Sequence, residues 1–271
     1  MSRLPVPPLS AGVLEVHHSG IREISGLALT TPGAIRLEIG QPDFRTPDHI
    51  AQAAKDALDA GYTFYTPTQG PLSLRERLAA KLERVNGLRF EPDQIACGPG
   101  GVGAMAAALG AMVEAGDEVL IPDPAWPNYK QMAATLHCRT IQYPCPAENG
   151  FLPDLDRLEA LMGSRTKVLV VNSPHNPTGT VYPRAVLQKL AELAARHDLW
   201  LISDECYDQI VLDGTGVADS VAAVAGDARV VSIYTFSKTY AMTGWRLGYM
   251  AADRGLVDSA IKVLELSLIH I

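Results

Sequence analysis

Short apolar, β-rich runs recur along this chain, and helical stretches separate them. The runs are Gln94–Cys97, Glu118–Ile121, Arg139–Gln142, Lys167–Val171, Trp200–Ser203, Val230–Tyr234 and a last one from Arg246 to Met250. Lys167–Val171 reads KVLVV, an unbroken apolar run of the kind a strand needs when both of its faces are covered. Between the runs lie an all-apolar helix over Ala104–Val113, a helix over Asp154–Leu161 and an amphipathic one over Pro183–Asp198. Strands alternating with helices predict a parallel, mostly doubly wound α/β sheet. Ahead of this region, Thr46-Pro47-Asp48 signals a capped helix with proline at its first position, ending near Gly61. Leu72–Val85 repeats at helical spacing with a capping signal at Ser73. Ile35–Phe44 reads as a short strand entering a turn at Gly40, and Ser10–Leu29 as a weaker helix.

Composition narrows the function. The 271 residues are 47% hydrophobic and 20% charged, with a net charge of −7. No basic block points to nucleic acid and no basic amphipathic stretch to a membrane surface. The uncharged run Gly98–Val113 is shorter than a bilayer span. MSRLPVPPLS lacks a signal-peptide core, and its Leu4–Leu9 part reads as a proline-rich arm. Cys97, Cys138, Cys145 and Cys206 form no CxxC pair and read as reduced thiols of a cytoplasmic protein. The His17-His18 pair reads as solvated, and no metal site is expected.

The chemistry concentrates at the carboxyl ends of the strands, where open α/β sheets bind ligands. Val230–Tyr234 runs into Thr235, Phe236, Ser237 and Lys238, and Arg246 follows. Alone, Lys238 would read as a solvated loop lysine. In this setting its amine can condense with an aldehyde while hydroxyls and a guanidinium hold a phosphate. Asp204 ends another buried run, and a carboxylate there calls for a cation. Gly98-Pro99-Gly100-Gly101-Val102-Gly103 between strand and helix offers backbone N–H groups to an anion. Trp126 is held between prolines, which restrict its backbone. Asn176, Asp204, Lys238 and Arg246 follow one another at separations of 28, 34 and 8 residues, each at a strand end or in the last strand.

TFSK followed by GWRLGY, together with SPHNPTG at residues 173–179, resembles the class I/II aminotransferases, the fold type I pyridoxal phosphate enzymes. The resemblance covers roughly residues 30–260 and implies a mostly parallel seven-stranded sheet sandwiched by helices. It implies a Schiff base between Lys238 and pyridoxal 5′-phosphate, with Lys238 also moving the substrate's α-proton. Asp204 would hold the ring nitrogen, Asn176 and Tyr207 the ring oxygen, and Trp126 the ring face. Arg246, Thr235, Ser237 and the backbone of Gly100, Gly101 and Val102 would hold the phosphate. Val102 stands where many relatives have lysine or serine, so only its backbone serves. Gly40 would lie along the substrate carboxylate, with Trp126 and Asn176 also facing substrate. Tyr65 would reach the phosphate of the neighbouring subunit, which makes the expected assembly a homodimer with shared sites. His175 is expected to be structural, and Asn176-Pro177 is a position for a cis bond.

The substrates so implied are an amino acid and a 2-oxo acid. β-Elimination, α-decarboxylation and cyclopropane-forming relatives share these motifs and stay open as alternatives, as does a non-catalytic domain of this type. A dinucleotide-binding fold is excluded because no GxGxxG follows the first strand. The organisation expected is an arm with part of a small domain over 1–38, a cofactor-binding domain over 39–255 and the start of a connecting helix over 256–265. The small C-terminal domain, with the arginine that clamps the substrate carboxylate, is expected to be missing, which would leave apolar surface exposed. Residues 266–271, LSLIHI, match the translation of a transposase sequencing adapter and are expected to be a non-native tail.

Overall fold

The computed structural model describes residues 10–14, 20–212, 214 and 216–268. The Leu4–Leu9 arm, His17-His18 and the end of the 266–271 tail lie outside the described residues. The chain opens with helices α1 (Ala11–Leu14), α2 (Gly20–Thr30), α3 (Asp48–Asp59) and α4 (Leu72–Lys81), the last continued by a π-helical turn over Leu82–Asn86. Then β1 (Ile95–Pro99), α5 (Gly100–Met112), β2 (Glu118–Asp123), α6 (Asn128–Thr135) and β3 (Arg139–Pro144) follow. After them come α7 (Leu155–Ala160), β4 (Thr166–Asn172), α8 (Arg184–Arg196), β5 (Trp200–Asp204), β6 (Arg229–Thr235), β7 (Leu247–Ala251) and α9 (Arg254–Leu268).

The strands form one seven-stranded sheet in the order β1-β7-β6-β5-β4-β2-β3. The pairs from β3 through β6 are parallel, and β7 is antiparallel to both β6 and β1. Successive side chains of a strand point to opposite faces, and here each face has its own core. Val168, Val170, Ile202 and Ile233 pack with α5 and α9, while Leu169, Val171 and Leu201 pack with α8 and Tyr143. Two covered faces explain why Val168–Val171 carries no polar residue, while the exposed Lys167 stands before them. A third cluster joins α4 to β1 and to Tyr234 and Tyr249.

Several local expectations are corrected. Ile35–Ile39 forms no strand: Ile35 and Leu37 are 86% and 88% exposed, and among the described residues no strand runs alongside to share a ladder. Thr46 does not cap α3, because its hydroxyl donates to the Ala241 carbonyl at 2.6 Å, and Pro47 takes the cap position. Ser73 lies inside α4, whose N-cap is Pro71. The glycine cluster is not a free turn: Gly98 and Pro99 belong to β1, and α5 already starts at Gly100. Arg246 is not in a strand. It ends a 3₁₀ turn with φ 54°, and β7 begins after it. Asp154, expected as the first residue of a helix, is instead the N-cap of α7, accepting from the Arg157 backbone at 3.1 Å. Cys97, Cys138, Cys145 and Cys206 are free thiols. No helix among the described residues is long and apolar enough to cross a membrane.

Candidate active site

Parallel pairing puts the carboxyl ends of β4, β5 and β6 on one edge. Asn172 stands opposite Asp204, and Asp204 opposite Ile233. Asp204 is 4% exposed. It accepts from the Tyr129 hydroxyl at 2.6 Å and from the Cys206 backbone at 3.2 Å. Burial raises its pKa, and these hydrogen bonds pull it back. Tyr129 also meets the Trp126 ring edge-on, with centroids 5.4 Å apart and planes at 85°. Sequence reasoning passed over Tyr129, since a lone tyrosine in a helix carries no signal of its partner.

Asn172 was likewise missed, although it opens the NSPHNPTG string. Its amide donates to the Asp204 carbonyl at 2.9 Å, and its oxygen accepts from the Asn176 backbone at 2.7 Å. Asn176 is thereby tied to the loop above β4, and the Asn176-Pro177 bond is cis, as are Ser173-Pro174 and Asp123-Pro124. His175 is buried, bonded to Thr178 at 2.7 Å and stacked on Tyr182. Burial lowers its pKa to about 4, so at neutral pH it is an uncharged packing element.

Lys238 is half-buried after β6. Its amine donates to the Gly40 carbonyl and lies 5.7 Å from the centre of the Tyr207 ring. Burial lowers its pKa, Cys206 opposes that shift and Arg246 adds to it. Thr235 Oγ1 donates to Ser237 Oγ at 3.0 Å and accepts from the Ser237 backbone at 3.2 Å. Arg246 lies across the first residue of α5: a Cβ on Gly100 would fall 2.4 Å from Nη2. A Cβ on Gly101 would meet Cys206 Sγ at 2.9 Å. These glycines are therefore required for close approach, and at Gly100 also by φ +77°. Arg246 donates to the Thr243 carbonyl at 2.8 Å and has no ion-pair partner among the described residues. Val102, in the first turn of α5, is half-buried. Tyr65 is not brought to this group within the chain. It is 74% exposed, beside the equally exposed Tyr62 and Phe64.

A second buried carboxylate, also missed, sits next to Asp204. Glu205 accepts from Ser220 at 2.6 Å, Tyr234 at 2.8 Å and Ser232 at 3.2 Å. Burial pushes it up to about 7, despite the Ser220 and Tyr234 hydrogen bonds. Because the folded pKa is the higher one, the native state holds an extra proton between about pH 4.5 and 7. The contribution of this group is fully present below pH 4.5 and is lost as pH rises through 7. Glu205→Gln should therefore stabilise the protein at pH 8 relative to pH 5, by about 3 kcal/mol for a shift of this size. Urea unfolding at the two pH values measures it, and an equal effect at both would reject the raised pKa.

The cluster offers an amine, a buried acid, a guanidinium with no ion-pair partner among the described residues and the amino end of a helix within one group of loops. Among the described residues no cluster of His, Cys, Asp and Glu could hold a metal. The profile of the aminotransferase class I and II family matches residues 32–269. A probable aspartate/prephenate aminotransferase of Thermus aquaticus is 38% identical over 84% of this chain and 59% of its own length. Aromatic-amino-acid aminotransferase 2 of Thermococcus litoralis is 39% identical over 91% of this chain and 64% of its own. The crystal structure of Thermus thermophilus aspartate aminotransferase with maleate superposes with a TM-score of 0.92 at 36% identity, covering 97% of this chain and 69% of that one. The chain thus spans about three-fifths of the curated relatives it matches. On the strength of that match, the chain belongs to the class I and II aminotransferases, a family of pyridoxal phosphate-dependent enzymes.

Proposed function

We propose that this chain binds pyridoxal 5′-phosphate on Lys238 and, within its full-length protein, transfers an amino group between an amino acid and a 2-oxo acid. The observation that carries the reading is the placement of a half-buried amine, Lys238, and a buried carboxylate, Asp204, on the ends of neighbouring strands β6 and β5.

The residues present fit the cofactor. Arg246, Thr235, Ser237 and the backbone N–H groups of Gly100, Gly101 and Val102 suit a phosphate: a guanidinium without an acid partner among the described residues, hydroxyls, and a helix amino end whose first two residues have no Cβ. When bound, the cofactor supplies an aldehyde for amines and a ring that draws electrons from the substrate's Cα. Asp204 would hold the proton on the ring nitrogen, and Tyr129, bonded to it, would orient that carboxylate. Asn176 and Tyr207 would hold the ring oxygen, and Trp126 would cover the ring face. Lys238 Nζ would be the group that takes and returns the proton at the substrate's Cα. Gly40, Trp126 and Asn176 line the substrate side.

We assign residues 39–255 to the cofactor domain, 1–38 to an arm and part of a small domain, and 256–265 to a connecting helix. Exposed Tyr62, Phe64 and Tyr65 support a homodimer in which Tyr65 completes the neighbour's phosphate site, in a cytoplasmic protein. The test is borohydride reduction after mixing with pyridoxal phosphate, followed by peptide mass mapping. The pyridoxyl group is expected on Lys238; label spread over other lysines would reject the reading. On the full-length protein, release of a 2-oxo acid matched by a new amino acid is expected, and ammonia release would point to elimination instead.

A further inference from the structure

Beside the Lys238 loop lies a small cavity with about 10 Å³ of room for the centre of a water-sized sphere. Lys81, Asp208, Thr239 and Tyr249 line it, with Tyr234 at one wall. Thr239 Oγ1 and the Tyr249 hydroxyl are buried there without a hydrogen-bond partner. Tyr249 itself is 3% exposed. Two orphaned hydroxyls in one cavity are unusual, because buried polar groups are nearly always partnered.

The charged part of the lining is an ion pair. Lys81 Nζ meets Asp208 Oδ2 at 2.6 Å, and Asn86 bonds both of them at 2.9 and 3.0 Å. Lys81 also sits over the Tyr234 ring at 4.7 Å. With the two charges cancelling, the cavity suits a neutral ligand rather than an ion. Its room is that of a single water, and a buried water makes about three hydrogen bonds to such groups.

We propose that this cavity holds one ordered water, bonded to Thr239 Oγ1, Tyr249 Oη and the Lys81–Asp208 pair, and that this water braces two catalytic loops. Thr239 directly follows Lys238, and Asp208 directly follows Tyr207. The water therefore links the backbone that carries the amine to the backbone that carries the ring-oxygen tyrosine. Thr239 and Tyr249 are positioning residues: both hydroxyls are buried at this cavity and would act through the water. The bracing role rests on the reading of Lys238 as the cofactor lysine; the water site does not.

A high-resolution crystal structure of this chain decides the site. A solvent peak within hydrogen-bond distance of both hydroxyls is expected. An empty cavity, or a Tyr249 hydroxyl bonded directly to protein, would overturn the proposal. The brace is read from the rate at which pyridoxal phosphate loads onto Lys238, followed by near-visible absorbance. Thr239→Val and Tyr249→Phe should each slow loading about tenfold, the equivalent of one hydrogen bond. Thr239→Ser should restore it. The double variant should be no slower than the slower single one, because both hydroxyls hang on the same water. Losses that multiply to about a hundredfold would show two independent contacts and overturn the shared water, and unchanged loading would overturn the brace. Failure of the parent chain to load, with the solvent peak present, would reject Lys238 as the cofactor lysine and leave the water site standing.

Discussion

Lys238→Ala should eliminate the near-visible absorbance of the chain reconstituted with pyridoxal phosphate and leave borohydride with nothing to fix at that position. In the full-length protein, amino transfer should fall by about 10²–10⁴-fold from the loss of the proton carrier alone. The physical ground is the environment of the amine. Burial disfavours the ammonium form, and Arg246 disfavours it further, so a larger fraction is neutral near pH 7 than for a solvated alkylamine. Only the neutral amine attacks an aldehyde. Labelling should therefore be most selective for Lys238 near neutral pH and lose selectivity as pH rises toward 10, where ordinary amines also deprotonate. Absorbance and mapped label across that range provide the measurement; a selectivity that grows with pH would contradict the depressed pKa.

The second large effect is expected at a residue with no side chain. Gly248 pairs with Gly98 of β1 and with Thr235 of β6. A Cβ there would fall 2.4 Å from Gly100 C, 2.4 Å from Gly101 N and 2.8 Å from the Tyr234 carbonyl. All three are backbone atoms, so no rotamer change relieves the overlap. Gly248→Ala should cost about 3 kcal/mol, at the upper end for an overpacked site. For a chain of this size that lowers Tm by roughly 6–12 °C. Because the displaced atoms belong to the amino end of α5, cofactor loading should weaken in the same variant even at temperatures where it stays folded. Thermal melts with and without pyridoxal phosphate would measure both. An unchanged Tm would mean that α5 is not seated on β7 as described.

The Gly248 seat also marks where the sequence stopped being legible. Strand positions were readable because burial on two faces leaves an unbroken apolar run, as in Lys167–Val171, and strand ends because Asn172, Asp204 and Thr235 follow such runs at once. The glycine cluster at Gly98–Gly103 was readable as backbone N–H groups offered to an anion, but what packs against those glycines was not. Arg246 reaches Gly100 across a sheet pairing that only the fold creates. The same limit hid Tyr129, which meets Asp204 from 75 positions away, and the Lys81–Asp208 pair, 127 positions apart. Ile35–Ile39 misled for the opposite reason. Apolar alternation marks a strand only where a neighbour completes the ladder, and among the described residues these side chains face solvent.

The separate cores on the two faces of the sheet make Val170 and Val171 members of different compartments, though they are joined by one peptide bond. Damage to the α5–α9 side and damage to the α8 side should accumulate as independent losses. A compensating substitution has to arise on the same side of the sheet as the defect it repairs, so proximity along the chain is no guide to which positions can rescue one another.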